Sequence, residues 1–62
     1  MNDTIRSPGA PQVLVVDDEP QILMIMRFAL ETAGFTVVTA TDGAQAWSTF
    51  KQRRFDLVVL DL

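Results

Sequence analysis

Val13-Leu14-Val15-Val16-Asp17-Asp18-Glu19-Pro20 holds the reading of this chain. Four consecutive apolar residues rich in valine have no alternation, so they predict a strand covered on both faces, as in a parallel sheet. The run ends on two adjacent aspartates and a glutamate. Pro20 then suits the first turn of a helix, and Asp18 with Gln21 has capping-box spacing. A second run, Leu57-Val58-Val59-Leu60, likewise ends on aspartate, at Asp61. Carboxylates gathered at the ends of buried strands are costly unless a cation sits among them.

Between these runs the pattern alternates. A helix is expected to about Ala33, with Gly34 ending it in the left-handed conformation. On a wheel of about 100° per residue, Ile22, Ile25, Met26, Ala29, Leu30 and Ala33 share one face, and Met24 and Phe28 fall on the other side beside Arg27 and Glu31. Exposed apolar residues there point to a neighbouring helix or a docking surface. Phe35 to Ala40 reads as a second strand, less buried because Thr36 and Thr39 interrupt it. Asp42 and Gln45 repeat the capping-box spacing before a second helix, about Gly43 to Gln52. On that helix Ala46, Trp47 and Phe50 read as core. Arg53 and Arg54 suit its C-terminal dipole. Asp56 reads as a solvated turn residue. The order is βαβαβ, an α/β fold with connections long enough for right-handed parallel crossovers.

The 62 residues make one small domain, with no cysteine to staple it and no histidine or cysteine for a zinc site. A hydrophobic content of 48% and a mean hydropathy of +0.21 place it with globular chains. A net charge of −3 with only a short cluster at Lys51, Arg53 and Arg54 argues against direct nucleic-acid binding. Residues 1–11, broken by Pro8, Gly9 and Pro11, read as a flexible tail. No run approaches the roughly 18 apolar residues of a membrane span, and no signal peptide is evident, so a cytoplasmic location is expected.

With strand order 2-1-3 the third strand lies at an edge, yet it is as apolar as the central one. More sheet is therefore expected beyond Leu62. In open α/β sheets ligands bind outside the carboxyl ends of the strands, at the switch point of the strand order. Asp17, Asp18 and Asp61 gather there. Three hard oxygen donors suit Mg²⁺, and a carboxylate beside that ion can act as a nucleophile toward phosphorus. Glu19 and Asp42 read as helix-start residues with no chemical role. No glycine-rich phosphate loop is present, so nucleotide binding has no support.

These residues resemble the receiver domain of two-component response regulators. Val13 to Pro20 is similar to the family's first strand and acidic pair, and Ala33-Gly34-Phe35 to its turn into the second strand. Thr41-Asp42-Gly43 with Ala46 is similar to the start of its second helix, and Phe55 to Leu62 to its phosphoacceptor strand. The resemblance covers residues 12–62. It implies the flavodoxin-like, doubly wound sheet of order 2-1-3-4-5, of which this chain would be the first half. It also implies that Asp61 accepts a phosphoryl group from a histidine kinase or phosphotransfer protein, that Asp17, Asp18 and Asp61 hold Mg²⁺, and that Met24, Arg27 and Phe28 lie on the kinase-docking surface. Such a domain is a signalling phosphoacceptor and not an enzyme in the ordinary sense.

The chain departs from the family at Phe55, where a proline is usual. The family's hydroxyl at the end of the fourth strand, its lysine at the end of the fifth, and the metal-binding carbonyl after the phosphoacceptor would all lie beyond Leu62. Poor phosphorylation of the 62-residue chain alone is expected. Two other readings compete: a non-catalytic fragment acting through strand-edge self-association or complementation, and a metal-dependent phosphohydrolase. The latter usually carries Asp-x-Asp after the first strand, whereas here the acids are adjacent.

Overall fold

A computed structural model describes residues 9–61. Strand β1 (Gln12–Asp17) is followed by helix α1 (Pro20–Thr32), strand β2 (Thr36–Ala40), helix α2 (Gly43–Gln52) and strand β3 (Leu57–Asp61). All pairing is parallel, and β1 lies in the centre of a sheet ordered β2-β1-β3. The α/β architecture and the 2-1-3 order therefore match the sequence reading. β1 loses both faces to helices and both edges to strands. Val13, Leu14, Val15 and Val16 are essentially inaccessible to solvent.

Side chains alternate across β1 and build two cores. Val13 and Val15 pack with Leu23 and Val37, joined by Met26, Leu30, Phe35 and Val59. Leu14 and Val16 pack on the opposite face with Ala40 and Ala46, joined by Val38 and Phe55. Thus α1 covers one face of the sheet and α2 the other.

The ends of α1 depart from expectation at one terminus and meet it at the other. The N-cap is Glu19, without a side-chain cap, so Asp18 is not a capping-box residue. Asp17 Oδ1 instead accepts the Glu19 N–H at 2.9 Å, and this turn places Pro20 at the first helical position. At the other end Gly34 has φ +102°. Its N–H donates to the Glu31 carbonyl and the Phe35 N–H to the Leu30 carbonyl, at 3.1 and 3.0 Å, which is a Schellman closure. Leu30 and Phe35 then pack on the same core.

The core-facing stripe of α1 is the buried Leu23 with the half-buried Met26 and Leu30, and Ile22 is half-buried beside it. Ile25, assigned by the wheel to the same face as Met26, is 64% exposed, and Ala29 and Ala33 are exposed too. The sheet thus meets the helix on the side of Leu23. In α2, Asp42 Oδ1 accepts the Gln45 N–H, and Gln45 Oε1 reaches back to the Thr41 N–H and hydroxyl. The expected cap at Asp42 is therefore present, with the reciprocal contact falling one residue earlier. Trp47 and Phe50 are not core: they are 61% and 45% exposed, and only Ala46 is buried.

The base of the sheet is tied by side chains that read as solvated in the sequence. Asp56 Oδ2 accepts the Gln12 N–H at 2.7 Å, and the Asp56 N–H donates to the Gln12 carbonyl at 2.8 Å. Arg53, the C-cap residue of α2, donates to Gln12 Oε1 at 2.8 Å and lies over the Phe55 ring. Pro11, assigned to the tail, accepts the Thr36 N–H through its carbonyl at 2.9 Å. Residues 1–8 of that tail, and Leu62, lie outside the described residues. No helix among the described residues is long and apolar enough to cross a membrane.

Candidate functional site: an acidic pocket at the carboxyl ends of the strands

Parallel strands bring their carboxyl ends to one side of the sheet. In the β1–β3 ladder Asp17 is the direct register partner of Asp61, following Val15 with Val59 and Val16 with Leu60. Side chains two apart share a face, so Asp17 and Asp61 both project to the α1 side, continuing the rows of Val15 and Val59. Asp17, Asp18, Glu19 and Asp61 line one pocket of about 370 Å³, closed on one side by Ile22 at the start of α1. The three aspartates singled out in the sequence therefore share one cavity. Glu19 joins them, a neighbour that the run Asp17-Asp18-Glu19 already offered but that reads as a helix-start residue.

The carboxylates are not equivalent. Asp17 is 4% exposed and is the only buried polar residue among the described residues. Its Oδ1 is held by the Glu19 N–H, which fixes the side chain at the mouth of the helix. Asp18 and Asp61 are exposed. Like charges directly opposite on neighbouring strands repel, and burial of one of them deepens the cost. Four carboxylates and one apolar side chain form the lining, with no cationic side chain among them.

Such a donor set fits a hard divalent cation in kind: every ligand is an anionic oxygen, and the pocket leaves room for several waters, as Mg²⁺ requires. Among the described residues the carboxylates do not stand as a preassembled cluster of three at metal-binding distance.

Comparisons with known proteins identify the family. The response regulator receiver domain family matches residues 13–62. The chain belongs to that family. Relatives include the transcriptional regulatory protein KdpE of Mycobacterium tuberculosis, 48% identical over 50 residues that make up 81% of this chain and 22% of that protein. The transcriptional regulatory protein PrrA of the same species is 43% identical over 53 residues, 86% of this chain and 23% of that protein. The alkaline phosphatase synthesis transcriptional regulatory protein PhoP of Bacillus subtilis is 41% identical over 51 residues, 82% of this chain and 21% of that protein. Among solved structures, the chemotaxis protein CheY4 of Vibrio cholerae superposes with a TM-score of 0.79 at 36% identity, over 81% of this chain and 42% of that one. This receiver-domain chain thus spans less than a quarter of the length of these three regulators, and its three strands and two helices match a flavodoxin-like fragment of the CheY type.

Proposed function

We propose that Asp61 is the phosphoacceptor of this receiver domain, taking a phosphoryl group from a histidine kinase or phosphotransfer protein, and that Asp17, Asp18 and Asp61 hold Mg²⁺. The observation that carries the reading is the register pairing of Asp61 with the buried Asp17 across parallel strands, in a pocket lined by acids. Bound Mg²⁺ would neutralise phosphoryl oxygens and relieve the repulsion among the carboxylates.

The chain's own contributions follow from position. Asp61 is exposed at a strand end, so a carboxylate oxygen can approach phosphorus in line with the leaving group. Its attack forms the acyl phosphate O–P bond as the donor's P–N bond breaks. The electron pair of that bond stays on the departing imidazole nitrogen. Asp17 is held by the Glu19 N–H and serves as the fixed edge of the site. Asp18 is exposed and lines the same pocket, and would complete the cation site from the other side.

The lining offers no positively charged donor to the charge that develops on the transferring group. Transfer to the 62-residue chain by itself is accordingly slow and incomplete. Incubation with acetyl phosphate and Mg²⁺, followed by intact-mass measurement, tests this: a minor singly phosphorylated fraction that vanishes in Asp61→Ala is expected. A label that survives Asp61→Ala would remove Asp61 from its role.

The docking face for the phosphodonor protein lies on α1, around Met24, Arg27 and Phe28. Phe28 is 73% exposed and Met24 69%, and Ile25 adds to the same apolar surface. Arg27 pairs with Glu31 at 3.2 Å, a solvent-exposed i,i+4 contact of the kind that exchanges readily for a partner's acid. Met24 and Arg27 also line a shallow pocket with Pro20, Leu23, Thr39 and Thr41, on the same end of the sheet as the acids.

A further inference from the structure

Pro20 stands where the acidic pocket meets α1, and packing does not account for it. It is exposed, and neither core cluster includes it. What it controls is backbone. The residue before a proline is disfavoured in the α region, and Glu19 is held extended at φ −108°, ψ 114°. In that conformation Glu19 is tied at both ends. Its carbonyl accepts the Ile22 and Leu23 N–H groups, each at 3.1 Å, and its N–H donates to Asp17 Oδ1 at 2.9 Å. Leu23 is buried in the core between α1 and the sheet. The core, the first turn of α1 and the Asp17 carboxylate are thus joined in series.

Proline also lacks an N–H. An aspartate at a helix start accepts from amides two or three residues on. The same chain shows the longer reach at Asp42, whose Oδ1 accepts the Gln45 N–H at 2.8 Å. Asp17 makes only the shorter contact, because the residue three on is Pro20. Among the described residues Asp17 Oδ2 has no hydrogen-bond partner, although Asp17 is 4% exposed and lines the acidic pocket. A buried carboxylate oxygen without a donor is costly, and a cation in the pocket would offset that cost.

We propose that Pro20 is a positioning residue for the metal site: by withholding an N–H it keeps Asp17 Oδ2 free for a divalent cation, while the Glu19 N–H fixes Oδ1. The proposal rests on the reading of Asp17 as a Mg²⁺ ligand. Pro20 has no side-chain donor or acceptor for cation or phosphoryl group, so it acts through Asp17. Groups that orient a metal ligand commonly change affinity by roughly ten- to hundredfold.

Pro20→Ala and Pro20→Ser both restore the N–H and test this. In the metal-free variants, the amide proton introduced at position 20 should exchange with solvent at least tenfold more slowly than in the same variants carrying Asp17→Ala. Calorimetric titration should show Mg²⁺ binding about tenfold weaker in either variant than in the native chain. Added to Asp17→Ala, neither substitution should weaken binding further, whereas a role confined to starting the helix would act equally in both backgrounds. Unchanged Mg²⁺ affinity, an equal loss without Asp17, or fast exchange at position 20 would overturn the inference. A native chain that binds no Mg²⁺ would instead sink the metal reading, and the exchange rate at position 20, read without metal, would still decide whether Pro20 withholds a donor from Asp17.

Discussion

Asp17 and Asp61 carry the account at the residue scale, and they do so through opposite environments. One is buried and held by a backbone N–H, and the other is exposed at the end of an edge strand. Replacing Asp17 by Asn keeps the shape and the contact to Glu19 while removing a charge, so it should weaken Mg²⁺ binding at least tenfold in a calorimetric titration with little loss of fold. Gly34 tests the backbone. At φ +102° any side chain is strained although its Cβ would meet nothing within 4 Å, so Gly34→Ala should cost about 1 kcal/mol in urea unfolding. The acids were legible because a strand that ends on a charge has no bland explanation once a second one does the same. Asp56 was not legible. Its partner, the Gln12 N–H, is 44 residues away, and no local pattern encodes a contact of that kind.

At the scale of elements, α1 shows what a helical wheel can and cannot decide. The wheel found an amphipathic helix and the exposed Met24 and Phe28, but the true buried stripe runs through Leu23, which that face left out. The difference lies in which side of the helix meets the sheet: Leu23, with Met26 and Leu30, packs on the core while Ile25 faces solvent. Leu23→Ala should therefore cost about 2–3 kcal/mol, while Ile25→Ala should change stability by less than about 0.5 kcal/mol, both read from urea midpoints. The reverse order would restore the wheel's face. For α2, Asp42→Ala removes the acceptor of the Gln45 N–H and should cost about 1 kcal/mol. Trp47 and Phe50 read as core because large aromatics on a short helix usually are. They are exposed because α2 meets the sheet through Ala46, and the described residues place no element over the groove beside β3.

At the largest scale, residues 9–61 form a three-stranded parallel sheet with one helix on each face and an acidic end. A domain near this size buries only about 60% of the surface its unfolded chain exposes, so its stability is small and responsive to ligands. A cation that binds the folded pocket should stabilise it by about 1.4 kcal/mol at ten times its dissociation constant. Mg²⁺ should accordingly raise the thermal midpoint of the native chain and leave that of an Asp17→Asn, Asp61→Asn double variant unchanged. Fold class, strand order and the acidic constellation were all readable because a parallel βαβαβ chain brings every strand's carboxyl end to one side. The measurement that bears most directly on the phosphoacceptor is chemical mapping of the label. The chain, treated with acetyl phosphate and Mg²⁺, is reduced with borohydride to convert an acyl phosphate to the alcohol, and the modified peptide is sequenced by mass spectrometry. The expected result is a single modified position at Asp61. Modification at Asp17 or Asp18 with Asp61 intact would contradict the account.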